Sequence, residues 1–182
     1  MTIVLASASP RRAELLCAAG FAFVVDPVHI DESVLPGETP DAHVRRLARA
    51  KAQAGAIRHP GQTVLGADTV VVIDGRILGK PRDDADAAAM LSALSGRVHQ
   101  VYTAVAVADG GAVRDAVDVS AVTFGPMTPA DIVAYVASGE PGDKAGAYAI
   151  QGWAARFIER LEGSYSGVMG LPVAVVHRLL IS

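Results

Sequence analysis

Two short stretches of this chain concentrate residue types able to do chemistry. The first, Ser7-Ala8-Ser9-Pro10-Arg11-Arg12, follows the apolar run Ile3-Val4-Leu5-Ala6. It reads as a strand that turns through small residues into a helix at Pro10, whose fixed φ suits the first helical position. Such a turn leaves N–H groups of the first helical turn without intrahelical partners, and two arginines stand beside them. Backbone donors, the positive helix end and guanidinium forks together favour a polyanion, above all a phosphate chain. The second stretch is Asp143-Lys144-Ala145-Gly146-Ala147-Tyr148-Ala149-Ile150-Gln151-Gly152. Its glycines let backbone approach a ligand closely, Lys144 brings a cation, and Gln151 carries the donor and acceptor that suit a nucleobase edge. A surface loop packed on itself is the alternative for this stretch.

Single residues add to this. Asp68 sits in Val64-Leu65-Gly66-Ala67-Asp68-Thr69-Val70-Val71-Val72-Ile73, where nearly every neighbour wants to be inside. A buried carboxylate is costly unless it meets a cation, a metal or several hydrogen-bond donors. The competing role for it is structural, closing a bulge or turn beside Gly66. Val44, Leu47, Ala48 and Lys51 fall at i, i+3, i+4 and i+7, so the Lys51 ammonium lies on the apolar stripe of its helix. That placement fits either a buried site cation or a lysine snorkelling at a helix end. Arg45, Arg46 and Arg49 fall on other faces and are expected to be solvated. Lys80 follows Gly79 and precedes Pro81 on a punctuated turn that could reach a phosphate or simply be exposed. Gly75-Arg76-Ile77-Leu78-Gly79-Lys80 is not a P-loop, being one residue short and having Pro81 in place of the magnesium-binding Ser or Thr. Asp31 and Glu32 could furnish oxygens for a hard divalent cation, or be ordinary solvated acids. The five histidines show no metal-ligand spacing and are expected to be surface or structural, and no Gly-x-Ser-x-Gly elbow is present.

The elements that must carry these groups follow from caps and periodicity. A first helix runs from Pro10, with Ser9 as N-cap, to a stop at Gly20. Residues 26–38 form a loop, and Thr39-Pro40 opens a second helix reaching about Ile57. Residues 64–73 form a strand, and Asp74-Gly75 turns it into a hairpin with Arg76-Ile77-Leu78. Asp83 and Asp84 start a third helix that stops at Ser95-Gly96. Residues 98–108 and 113–124 read as two long strands joined by Asp109-Gly110-Gly111. Thr128-Pro129 with Asp131 opens another helix, closed by Gly139. Residues 140–152 read as a site-forming loop and 154–161 as strand or short helix. A final helix covers 171–180 with Pro172 in its first turn. Hairpins interrupt the alternation of helix and strand, so the fold class is α/β with a mixed sheet.

Bulk properties narrow the function. With 182 residues, 51% of them hydrophobic and 19% charged, the chain can bury a sizeable core as one large domain or two small lobes. A net charge of −3 argues against a general nucleic-acid binder, so neither nucleic-acid nor membrane partners are expected. The single cysteine, Cys17, lies among Leu15, Leu16, Ala18 and Ala19 and is expected to be a buried core thiol. No leader-like segment and no run of membrane-spanning length is visible, so a cytoplasmic location is expected.

Taken in order, Leu5-Ala6-Ser7-Ala8-Ser9-Pro10-Arg11-Arg12, Ile30-Asp31-Glu32, Ala50-Lys51-Ala52, Gly66-Ala67-Asp68-Thr69-Val70, Gly79-Lys80-Pro81, the 143–152 stretch, Ser164-Tyr165 and Gly170-Leu171-Pro172 resemble the Maf family of nucleoside triphosphate pyrophosphatases. The resemblance covers essentially the whole chain as one domain over 1–182. It implies a mixed, strongly twisted sheet flanked by helices, as in Maf and inosine-triphosphatase proteins, with two lobes around a cleft. It also implies hydrolysis of a nucleoside triphosphate to a monophosphate and pyrophosphate with a divalent metal, Mg or Mn. Carried over by position, Asp68 matches the family's catalytic proton acceptor and a metal-site acid, and Glu32 a further metal-site acid. Ser7, Arg12, Lys51 and Lys80 match phosphate-site positions, with Lys144 nearby in the late motif. Arg11, Thr69 and Gln151 match positions tied to substrate choice, in the combination of the branch acting on dTTP and UTP. A sister branch acting on 7-methylguanosine triphosphate tends to carry Trp, Gln and Glu there. Gly167 and Met169 depart from the family's usual residues in the 164–172 loop. A regulator of septum formation that binds nucleotide without turning it over is the competing function, and a homodimer is an open expectation.

Overall fold

The computed structural model describes residues 2–181. The chain divides into two compact units. The first takes residues up to Thr69, Thr103–Asp118 and the chain from Gly170 onward; the second takes Val70–Tyr102 and Val119–Met169. Among the described residues, seven strands form one mixed sheet: β1 (Ile3–Leu5), β2 (Phe23–Val25), β3 (Val64–Ile73), β4 (Arg76–Leu78), β5 (Val98–Asp109), β6 (Ala112–Phe124) and β7 (Ile158–Glu162). Their order is β2-β1-β3-β5-β6-β7, with β4 paired to β3 off this path. β1 is parallel to β2 and β3, whereas β3–β4 and β6–β7 are antiparallel, which is the mixed sheet the hairpins predict.

In the first unit, Pro10 opens α1 (Pro10–Ala18) and Thr39-Pro40 opens α2 (Pro40–Arg58), the Thr39 hydroxyl accepting the Ala42 N–H. The unit's core joins Ile3 and Leu5 of β1, Leu16 of α1, Leu65 of β3 and Val176 of the last helix. That helix runs from Val173 to Ile181, two residues later than its predicted start, because Pro172 precedes it rather than lying inside. On α2, Val44, Leu47, Ala48 and Lys51 are all buried, as their spacing requires. Gly66 of β3 sets how closely α2 lies on this strand. A Cβ there would run into the Ala48 carbonyl and lie 2.6 Å from the Ala52 backbone nitrogen. Gly66→Ala is therefore expected to destabilise the protein by about 3 kcal/mol or more, at the top of the overpacking range, because backbone cannot step aside as a side chain can. Urea unfolding checks this; an unchanged midpoint would contradict it.

Three readings change here. Cys17 is exposed, not buried. Arg12 and Leu16, four residues apart, form the buried face of α1, and Cys17 stands roughly 100° around the helix from Leu16. The short parallel strand β2 was not predicted, since three half-covered residues carry no period. Arg45, Arg46 and Arg49 do lie outside the buried stripe, but as ion pairs: Arg45 and Arg49 with Asp115, and Arg46 with Glu38.

In the second unit, Asp74 and Gly75 both adopt positive φ, as a tight hairpin turn demands. Asp83 caps α3 (Asp84–Leu94), and Thr128 with Asp131 forms a full capping box on α4 (Pro129–Ala137). The 140–152 segment is more ordered than a loop, holding 3-10 turns at Glu140–Asp143 and Ala145–Ala147. Residues 154–161 turn out to contain both predicted states, a 3-10 turn at Trp153–Phe157 followed by β7. A four-residue helix, α5 (Tyr165–Val168), follows in this unit, which makes the C-terminal helix α6.

The second unit's core contains a ring cluster of His99, Phe124 and Tyr148, all edge-to-face with centroids 4.8–5.3 Å apart. His99 Nε2 and the Tyr148 hydroxyl are 2.8 Å apart, and burial pushes the imidazole pKa down to about 4. A neutral imidazole in the fold and an ordinary one in the unfolded chain make stability fall as pH drops from about 6.5 to about 4. The expected loss across that window from this group is roughly 3 kcal/mol. Unfolding free energies at pH 7 and pH 4.5 measure it; a His99→Gln protein with the same pH slope as wild type would contradict it.

Candidate active site

The first unit gathers six of the predicted residues around two linked clusters. Asp68, 7% exposed, lies midway along β3. Lys51, equally buried, comes to it from the inner face of α2, Nζ to Oδ1 2.8 Å. Lys51 Nζ also lies 2.6 Å from Oε1 of Glu32, whose side chain is half exposed in the middle of the 26–38 loop. One ammonium thus bridges two carboxylates, one inside and one at the surface. Lys51 therefore does not snorkel away, and Asp68 meets a cation.

Arg12 anchors the second cluster. Its guanidinium is buried and spread over three neutral acceptors: Nε donates to the Gly170 carbonyl (2.8 Å), Nη1 to Ser7 Oγ (2.9 Å) and Nη2 to Thr69 Oγ1 (3.3 Å). Burial pulls its pKa below the ordinary arginine value, Asp68 opposing this and Arg11 adding to it. Ser7 Oγ also accepts the Ser9 N–H at 3.2 Å, which fixes the strand-to-helix turn. Ser9 itself makes no side-chain cap on α1, so it does not occupy the first-turn N–H groups expected to face a phosphate. Thr69 Oγ1 lies 3.0 Å from Thr103 Oγ1 on β5, a fully buried hydroxyl. Because Asp68 and Thr69 are consecutive on β3, the acid and the arginine clamp share one backbone. Arg12 carries a charge that no hydrogen-bonded carboxylate offsets in these three contacts, which is what an anion site requires.

The other predicted residues lie elsewhere or do local work. Arg11 is the neighbour of Arg12 on α1 and is only half buried. Lys80, Lys144 and Gln151 belong to the second unit. Lys80 is exposed, and its turn is tied down by the Gly146 N–H donating to the Gly79 carbonyl at 3.0 Å. Lys144 Nζ donates to the Glu140 carbonyl and to Asp143 Oδ1, both at 2.6 Å. Gln151 is exposed at the tip of a turn closed by Gly152 N–H donating to the Ala149 carbonyl at 3.1 Å. Tyr148 of the same motif is a core residue and not part of the site. Asp31 accepts the Ser33 hydroxyl and also the Ser33 N–H at 2.9 Å, and these two bonds, the hydroxyl's first, lower its pKa.

Among the described residues, no three His, Cys, Asp or Glu side chains gather into a metal-binding group. The donor set nonetheless suits a magnesium-like ion. Such ions take one or two carboxylates and complete their shell from phosphates and water, and Glu32 and Asp68 already converge on one cationic centre. Thr103 was missed from the sequence, and Gly170 was marked only as part of a family motif, with no role. A lone hydroxyl in the buried run of β5 is the same kind of signal that exposes Asp68, whereas Gly170 contributes only its carbonyl.

A family model described as Maf-like protein matches residues 2–182. A dTTP/UTP pyrophosphatase of Methylobacillus flagellatus is 53% identical over 180 residues, covering 98% of this chain and 90% of the relative. A dTTP/UTP pyrophosphatase of Geotalea uraniireducens is 53% identical over 177 residues, covering 96% of this chain and 91% of the relative. Among solved structures, the Staphylococcus aureus Ham1 protein aligns with a TM-score of 0.54 at 14% identity, covering 100% of this chain and 98% of that one. That last likeness is one of fold.

Proposed function

The chain belongs to the Maf family, and we propose that it hydrolyses dTTP and UTP to the nucleoside monophosphate and pyrophosphate, in the cytoplasm. The observation that carries this is the buried Asp68 carboxylate, held by Lys51 with Glu32 and set next to the Thr69 end of the Arg12 clamp. A protein that only sensed a nucleotide would need the cations but not a costly buried acid.

In this reading Arg12, with Ser7 and the first turn of α1, receives the triphosphate, and Lys51 shares its charge. Charge grows on the leaving pyrophosphate as its bond to the α-phosphorus breaks, and preset cations stabilise that state more than the ground state. Asp68 orients the attacking water and takes its proton, with Lys51 holding the carboxylate in place. When bound, Mg or Mn at Glu32 and Asp68 would neutralise phosphate oxygens and organise them for attack. No helix of the described residues is long and apolar enough to cross a membrane.

By the family match, substrate choice is assigned to Arg11, Thr69 and Gln151, with Gln151 reading the base edge. Polar groups placed for a pyrimidine's carbonyl and imide edge are left unpaired by the wrong base, a larger penalty than one lost apolar contact. We expect kcat/KM for dTTP and UTP to exceed that for 7-methylguanosine triphosphate by roughly 100-fold or more. The combined Arg11→Trp, Thr69→Gln and Gln151→Glu variant should move preference toward the methylated purine. Pyrophosphate release measured across matched nucleotides tests both statements. A wild type that prefers the methylated purine would overturn the substrate assignment.

A further inference from the structure

We propose that Glu140 and Tyr135 are positioning residues that clamp the turn bearing Gln151 and so set base selectivity; this rests on the assignment of Gln151 to the base. Gln151 is exposed, and a single turn bond, Gly152 N–H to the Ala149 carbonyl, would hold it loosely. Instead both shoulders of the turn are tied to one pair of side chains. Before Gln151, the Ala149 N–H donates to the Tyr135 hydroxyl at 3.2 Å. After it, the Trp153 N–H donates to the Glu140 carboxylate, 3.1 Å to Oε1 and 3.2 Å to Oε2. The pair is itself joined, the Tyr135 hydroxyl donating to Glu140 Oε1 at 2.7 Å.

Tyr135 is fully buried on α4, so the clamp is rooted in the core of the second unit rather than in the loop. Its ring meets Trp153 with centroids 5.2 Å apart, and the Arg156 guanidinium lies 4.4 Å over the Trp153 ring. Gly152 shows that the carboxylate's place under the turn is built in: a Cβ at this position would collide with Glu140 Oε1. Bonds to an ionised carboxylate are the stronger kind, and a glutamine with a fixed backbone loses less freedom when it binds a base edge. The clamp therefore acts through Gln151 and has no contact with reacting atoms.

The test is the ratio of kcat/KM for UTP over CTP, whose bases differ at the edge a glutamine would read. Tyr135→Phe keeps the ring and removes the hydroxyl, and should lower that ratio about tenfold through KM for UTP, with kcat within about twofold of wild type. Glu140→Gln keeps the shape, removes the charge and should act in the same direction; it carries the test if Tyr135→Phe does not fold. Amide exchange at 149–153 should quicken in both. In a Gln151→Ala background neither substitution should change the ratio further. If Gln151→Ala alone leaves the ratio unchanged, Gln151 does not read the base, and the assignment fails together with this proposal. If Gln151→Ala lowers the ratio but the clamp variants do not, or if they lower it equally without Gln151, the clamp is structural only and the proposal is overturned while the assignment stands.

Discussion

Asp68→Asn is expected to cut kcat by roughly two orders of magnitude or more while the protein stays folded. Asparagine keeps the size and one acceptor oxygen but cannot take a proton from water. Removing one partner of a buried ion pair ordinarily destabilises by about 3–5 kcal/mol, because the other charge is stranded. Here Lys51 keeps Glu32 at 2.6 Å, so the stranding is partial and the stability loss should be well below that range. A steady-state assay together with a thermal melt separates the two effects. A folded Asp68→Asn protein turning over near the wild-type rate would remove Asp68 from the chemistry.

Lys51→Met should lower kcat/KM by roughly 100-fold or more, by taking away a preset charge that serves the transition state. Methionine fills most of the buried stem, so packing against α2's neighbours is retained. What remains is two carboxylates that converged on an ammonium no longer there. Like charges at close range repel, which adds to the disruption of the site. An unchanged kcat/KM would show that Lys51 only fills space.

How legible these groups were in the sequence follows from what each one perturbs. Asp68 breaks an otherwise apolar strand and Lys51 breaks an apolar helical stripe, and both violations mark cost that a site must offset. Arg12 was visible from its place after a strand-to-helix turn. Glu32 was not, because a loop has no period and two adjacent acids look like any solvated pair; only the family resemblance singled it out. Tyr135 and Glu140 were not singled out, since neither residue signals that its partners are backbone N–H groups ten or more residues away. The fold was read well wherever a cap, a proline or a hairpin dipeptide punctuated the chain. It was misread where a face had to be chosen from a short apolar run, as at Cys17, or where a strand had only three residues, as at β2.

The most direct measurement is hydrolysis of dTTP and UTP by the purified protein in ¹⁸O-labelled water with Mg or Mn, with every product identified. Attack at the α-phosphorus, organised by Asp68, predicts nucleoside monophosphate and pyrophosphate in equal amounts, with the label in the monophosphate. Release of inorganic phosphate and a nucleoside diphosphate, or label found in the pyrophosphate, would contradict it.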